Sequence, residues 1–61
     1  MKIEKMLKDY RIEQDITQAE LADRIMISQA TVASLEKGEN ASFLTKGKIS
    51  KFFNVSMEEL E

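Results

Sequence analysis

No cysteine, histidine, proline or tryptophan occurs in the 61 residues, and glycine occurs only twice. Without cysteine there is no disulfide to staple the fold and no thiolate nucleophile. Without histidine there is no imidazole for acid–base work, and the two absences together remove the usual zinc ligands. No cofactor and no metal is therefore expected. No apolar run approaches the roughly 20 residues that cross a bilayer, and the N-terminus lacks a signal-type apolar region, so the expected setting is the cytoplasm. Lack of proline, with charged residues at 33% mixed among Leu, Ile, Met and Ala, points to an all-α fold. A chain this short buries only roughly 60% of its unfolded surface, which allows one domain over residues 1–61.

A large excess of positive charge is also missing: the formal net charge is -2. The imbalance is local. The tail from Ser56 to Glu61 carries Glu58, Glu59 and Glu61 and no base, which leaves nine basic and eight acidic groups in residues 1–55. That body is close to neutral, and a nucleic-acid partner stays open.

Ile3, Met6, Leu7 and Tyr10 fall at i, i+3, i+4 and i+7, which predicts a first helix over about residues 2–13 with one apolar stripe. Thr17-Gln18-Ala19-Glu20 has the form of a capping box, so a second, two-turn helix starts near Gln18 with Leu21, Ala22 and Ile25 inward. Met26-Ile27-Ser28 breaks the period. Ser28 is a good N-cap for a third helix from Gln29 to Lys37, closed by Gly38. Two short helices joined by three residues form a helix-turn-helix over about residues 18–37. A fourth helix starts at Ser42 or Thr45 and runs through Phe53, with Ile49, Phe52 and Phe53 as core and Phe43 or Leu44 packing at its start. Ser56-Met57-Glu58-Glu59 is a second capping box that opens a last turn and delivers Leu60.

On a wheel of about 100° per residue, Val32 and Leu35 mark the inward side of the third helix, and Ala30, Ser34 and Lys37 lie opposite. That outer side is slim and polar. Helix statistics alone make it a solvated face; the three-residue turn ahead of it makes it a candidate reading head, because a helix entering a major groove needs small outer side chains and an amide near its N-terminus. Gln29 is the best placed, since its amide can pair with adenine N6 and N7, worth roughly 1–3 kcal/mol of discrimination. Ala30 offers apolar contact to a thymine methyl. Glu36 lies beside the inward stripe and needs a cation; Arg11, on the flank of the first helix's stripe, is in position to pair with it across the two helices.

The ordered set Thr17-Gln18-Ala19-Glu20-Leu21-Ala22, Ile25, Ile27-Ser28, Val32, Leu35-Glu36-Lys37-Gly38, Phe53-Asn54-Val55-Ser56 and Glu59-Leu60 covers nearly the whole chain. It resembles the lambda-repressor-like, Cro-type (XRE-like) helix-turn-helix regulators of bacteria and their phages. The resemblance implies a compact five-helix domain that binds double-stranded DNA, usually as a homodimer on a pseudo-palindromic operator, and regulates transcription, in the repressor manner. It places a phosphate contact on Gln18, base contacts on Gln29, Ala30, Thr31 and Ser34, and further backbone contacts on Lys37 and Asn40. The family's buried ion pair falls on Arg11 and Glu36. The chain departs from the family pattern at four positions. Met26 stands where the family most often has Gly, Ala41 where Pro commonly precedes the fourth helix, Gly47 where an apolar residue stands, and Glu39 where a base would aid phosphate contact. A Met forced to positive φ costs on the order of 1 kcal/mol, so the turn is either strained or differently built. Ala41 and Gly47 predict a mobile or displaced fourth helix.

Few cations lie near the proposed groove: Lys37, Arg24, Lys46 and Lys48. Lys2, Lys5 and Lys8 read as solubility. A dimer would double the count and set two reading helices roughly 34 Å apart. Phe52 and Phe53 point about 100° apart, so one is core; the other, with Val55, Met57 or Leu60, forms either a self-association patch or the closure of the core. The rival reading is a protein-interaction module, or an antitoxin-like partner protein, on the same fold. An enzyme is the least supported, because no two of the remaining carboxylates and hydroxyls share a defensible site.

Overall fold

The computed structural model describes residues 2–60. Four α-helices follow one another: α1 Lys2–Gln14, α2 Gln18–Ile25, α3 Gln29–Glu36 and α4 Phe43–Phe53. A 3-10 turn, Met57–Leu60, closes the chain. The described residues contain no strand. The expected fifth helix is thus a correction: the last element makes an i→i-3 bond, Glu59 N–H to the Ser56 carbonyl at 3.1 Å, and four residues are too few for a ladder of i→i-4 bonds.

The apolar stripes bury as the spacing dictates. Ile3 and Leu7 of α1, Leu21, Ala22 and Ile25 of α2, and Val32 and Leu35 of α3 are all under 5% exposed and form one cluster with Ile49 and Leu60. Each large side chain removed from water in this way contributes roughly 1.5–3 kcal/mol. Leu60 is 1% exposed, so the tail is part of the core.

Local signals set the helix starts. Thr17 Oγ1 accepts from Glu20 N–H at 3.1 Å while Glu20 Oε1 accepts from Thr17 N–H at 3.0 Å, the complete reciprocal box. The Thr17 N–H, with a smaller contribution from the Thr17 side chain, holds the Glu20 carboxyl below its ordinary value. Ser28 and Ser42 cap α3 and α4 through the amides of Thr31 and Thr45. At Ser56 the box is half made: its hydroxyl accepts from Glu59 N–H, and the Glu59 carboxylate meets the hydroxyl rather than the backbone.

All four helices end on a left-handed residue: Asp15, Met26, Gly38 and Asn54, with φ of 55, 71, 95 and 57°. After each, the next amide reaches back to the carbonyl five residues earlier: Ile16 to Arg11, Ile27 to Ala22, Glu39 to Ser34 and Val55 to Ser50, all at 3.0–3.1 Å. This is the Schellman pattern, and it stops helices in a chain with no proline. Gly38 adopts the geometry freely, and Asp and Asn tolerate it; Met26 does not, and the turn is therefore the strained alternative of the two posed by the sequence.

α4 departs most from expectation. It runs unbroken through Gly47, but only Ile49 is fully buried, and Phe43 and Leu44 are 77% and 78% exposed rather than packed. Counted at about 100° per residue from Ile49, Phe43 and Leu44 lie roughly 120–140° away, whereas Thr45, Phe52 and Phe53 lie within about 60°. Both phenylalanines are half-buried, and each packs edge-to-face with Tyr10 and with the other, at centroid separations of 5.0–5.5 Å. The pair therefore shares one aromatic cluster with α1 and helps close the core.

Candidate nucleic-acid interface

α2 and α3 are joined by Met26, Ile27 and Ser28 alone. Ile27 is half-buried against the core, which ties the turn down between the two helices. With Val32, Leu35 and Glu36 turned inward, the other side of α3 carries Gln29, Ala30, Thr31 and Ser34. Gln29 and Ala30 are exposed; Thr31 and Ser34 are half-buried. No charged side chain interrupts this face between Gln29 and Ser34. Thr31 is partly committed, since its hydroxyl lies 2.7 Å from that of Ser28, so its methyl is the more available group.

Behind the face, the α3 terminus is fixed by a polar knot. Arg11 Nε donates to Glu36 Oε2 at 2.6 Å and Arg11 NH2 to Glu36 Oε1 at 2.7 Å, a bidentate pair. Gln18 Nε2 adds a third donor to Oε1 at 3.2 Å. Glu36 is 5% exposed and Arg11 23%. The Arg11 hydrogen bonds, with a smaller contribution from Gln18, hold the Glu36 carboxyl below its ordinary value against the opposing effect of burial. The same bond raises the Arg11 guanidinium further. No buried side-chain nitrogen or oxygen among the described residues lacks a partner. The knot joins α1, α2 and α3, so the position of α3's outer face is set by three helices at once.

Gln18 spends one amide hydrogen on Glu36, and its second hydrogen and its carbonyl oxygen make no hydrogen bond among the described residues. Lys37 and Asn40 are exposed just beyond α3, as is Glu39. Of the other cations, Arg24 donates to Tyr10 Oη at 3.2 Å and Lys48 Nζ to the Met26 carbonyl at 2.9 Å. The structure thus brings Gln29, Ala30, Thr31 and Ser34 onto one face, and turns Arg24 and Lys48 toward contacts within the fold.

Two features lie beyond what the spacing suggests. A cleft beside α3 is lined by Ala30, Thr31 and Ser34 on one side and by Asn40, Ser42 and Thr45 on the other, so the start of α4 borders the outer face of α3. The Gln18 to Glu36 bond is the other. The hydroxyls at positions 42 and 45 were visible only as capping residues, and their proximity to α3 depends on the path of the 37–42 connection.

Comparison with known proteins agrees with this geometry. A family model described as Helix-turn-helix matches residues 7–60. The chain belongs to the helix-turn-helix family. An uncharacterised HTH-type transcriptional regulator of Methanocaldococcus jannaschii is 38% identical over 55 residues, covering 88% of this chain and 83% of that protein. An uncharacterised HTH-type transcriptional regulator of Archaeoglobus fulgidus is 36% identical over 88% of this chain and 78% of its own length. A cryptic phage CTXphi transcriptional repressor of Vibrio cholerae is 36% identical over 88% of this chain and 50% of its own length. No solved structure gives a significant match. In the structure, the two short helices joined by a three-residue turn are α2 and α3. Among the described residues no helix is long and apolar enough to cross a membrane, and no group of acidic side chains could hold a metal ion.

Proposed function

We propose that this helix-turn-helix chain reads double-stranded DNA as a cytoplasmic transcriptional repressor, with α3 in the major groove. DNA-binding regulation of transcription is what the family match and the named relatives support. The observation that carries the finer reading is the outer face of α3, slim, uncharged and led by an exposed Gln29, on a helix anchored from behind by Arg11 and Glu36. In this reading Gln29 pairs with a base edge, Ala30, Thr31 and Ser34 give close contacts, and Gln18, Lys37 and Asn40 meet phosphates.

The body measures 27 Å along its longest axis. Successive major-groove faces on one side of a duplex are roughly 34 Å apart, so reading two half-sites takes two copies and a pseudo-palindromic operator. Selection of bound duplexes from a random pool, with sedimentation of the complex, tests both points. Gln29→Ala relaxes preference at one position per half-site, whereas Gln18→Ala weakens all sequences alike. Unchanged relative affinities across the pool for Gln29→Ala would sink the base-reading role. Binding that is undetectable even at low salt would instead favour the protein-interaction reading.

A further inference from the structure

We propose that the groove between the end of α2 and the middle of α4 docks an acidic, amphipathic segment of a partner protein. The groove is lined by Ile25, Met26 and Phe52, with Arg24, Lys48 and Lys51 around them. Three of the nine cations of a net-negative chain therefore ring one apolar surface, and no carboxylate lines it. None of the three is in an ion pair among the described residues. Arg24 bonds a phenol, Lys48 a backbone carbonyl, and Lys51 makes no hydrogen bond or ion pair among the described residues. Glu20, one turn before Arg24 on α2, is engaged in its own capping box.

Met26 supplies the second, independent observation. Its left-handed φ of 71° is strained in an L-residue, yet Met26 is 77% exposed and gains little burial within the chain to offset that strain. Strain held at an exposed apolar side chain marks a position whose role lies outside the fold's own stability. A thioether on a flexible stem, beside the ring of Phe52, makes an adaptable contact surface. Four of the six lining residues, Arg24, Met26, Lys48 and Lys51, are exposed. A surface this open does not enclose a small metabolite, for which most of the ligand would have to be covered. A peptide segment that lays apolar side chains on Met26 and Phe52 and directs Asp or Glu to the surrounding cations satisfies both chemistries. A phosphodiester chain satisfies only the cations.

The test uses the full chain and two synthetic 14-residue helical peptides, each with Leu at i, i+3, i+4 and i+7, one carrying Glu and the other Lys at the remaining charged positions. The Glu peptide binds at least tenfold more tightly than the Lys peptide and shifts the amide signals of Ile25, Met26, Lys48, Lys51 and Phe52. Lys51→Glu lowers its affinity about tenfold. Met26→Gly lowers it at least fivefold while raising Tm by about 4 °C, since the relieved strain outweighs the added freedom of glycine in the unfolded chain. DNA affinity stays level in both variants. Equal binding of the two peptides, shifts centred elsewhere, or full affinity in both variants overturns the proposal. So does a duplex titration that shifts the same amides with a salt slope reduced by about 0.9 in Lys51→Gln, which assigns the groove to phosphates.

Discussion

Glu36, at the end of α3, accepts three side-chain hydrogen bonds from two other helices while 5% exposed. α4, by contrast, puts only Ile49 fully into the core, rests Phe52 and Phe53 edge-on against Tyr10, and turns Phe43 and Leu44 to solvent. The first three helices are thus held by a directional polar knot over an apolar cluster, and the fourth chiefly by packed area, with one exposed Lys48 bond to the Met26 carbonyl. A knot is geometrically strict and fails abruptly when one member is lost. Area is tolerant and degrades in proportion to what is removed.

Arg11→Met attacks the strict half and has the largest effect, a loss of about 3–5 kcal/mol, because it leaves the Glu36 carboxylate buried without its cation. Chemical denaturation measures it. The double variant Arg11→Met/Glu36→Leu recovers most of that loss, since an apolar pair of similar volume carries no desolvation cost. An unchanged midpoint in the single variant would show that the pair does not hold α1 to α3.

Acid acts on the same knot. The folded Glu36 carboxyl titrates below the unfolded value of about 4.3, so its contribution is complete above that value and is lost as pH falls through the lower folded one. Stability of the wild type therefore declines more steeply below about pH 4.3 than that of Arg11→Met/Glu36→Leu, as thermal melts across pH 2–6 show.

In the tolerant half, Gly47→Ala stabilises by roughly 0.5–1 kcal/mol. The site is inside a helix, and a Cβ built there meets nothing within 4 Å. Amide exchange within α4 slows in the same variant, while that of α3 is less affected. Smallest is Lys5→Ala, a few tenths of a kcal/mol at most, because the Lys5–Asp9 pair at 3.1 Å is exposed on both sides.

The strict half is also where the sequence was most readable. Thr17 with Glu20 and Ser28 with Gly38 are local devices, so the bounds of α2 and α3 follow from neighbours in the chain. Arg11 and Glu36 could be matched because each sits at a fixed angle from a well-defined apolar stripe. In α4 several apolar residues compete for the inward direction. Spacing picks out Ile49 with Phe52 and Phe53, but the expected packing of Phe43 or Leu44 at the helix start fails, since both face solvent. The Gln18 bond to Glu36 and the Lys48 bond to the Met26 carbonyl span 18 and 22 residues and have no local pattern that marks them. Within the candidate interface, the helical spacing of Gln29, Ala30 and Ser34 was visible from the wheel. The cleft that joins them to Ser42 and Thr45 was not, since it depends on a connection with no periodicity.

The bidentate clamp on Glu36 has one more consequence. In the reading proposed above, α3 pinned at 2.6 and 2.7 Å to its neighbour has little freedom to rock toward an ill-fitting groove. Compliance must then come from the nucleic acid, and the stiffness of base steps that no side chain touches becomes part of operator choice.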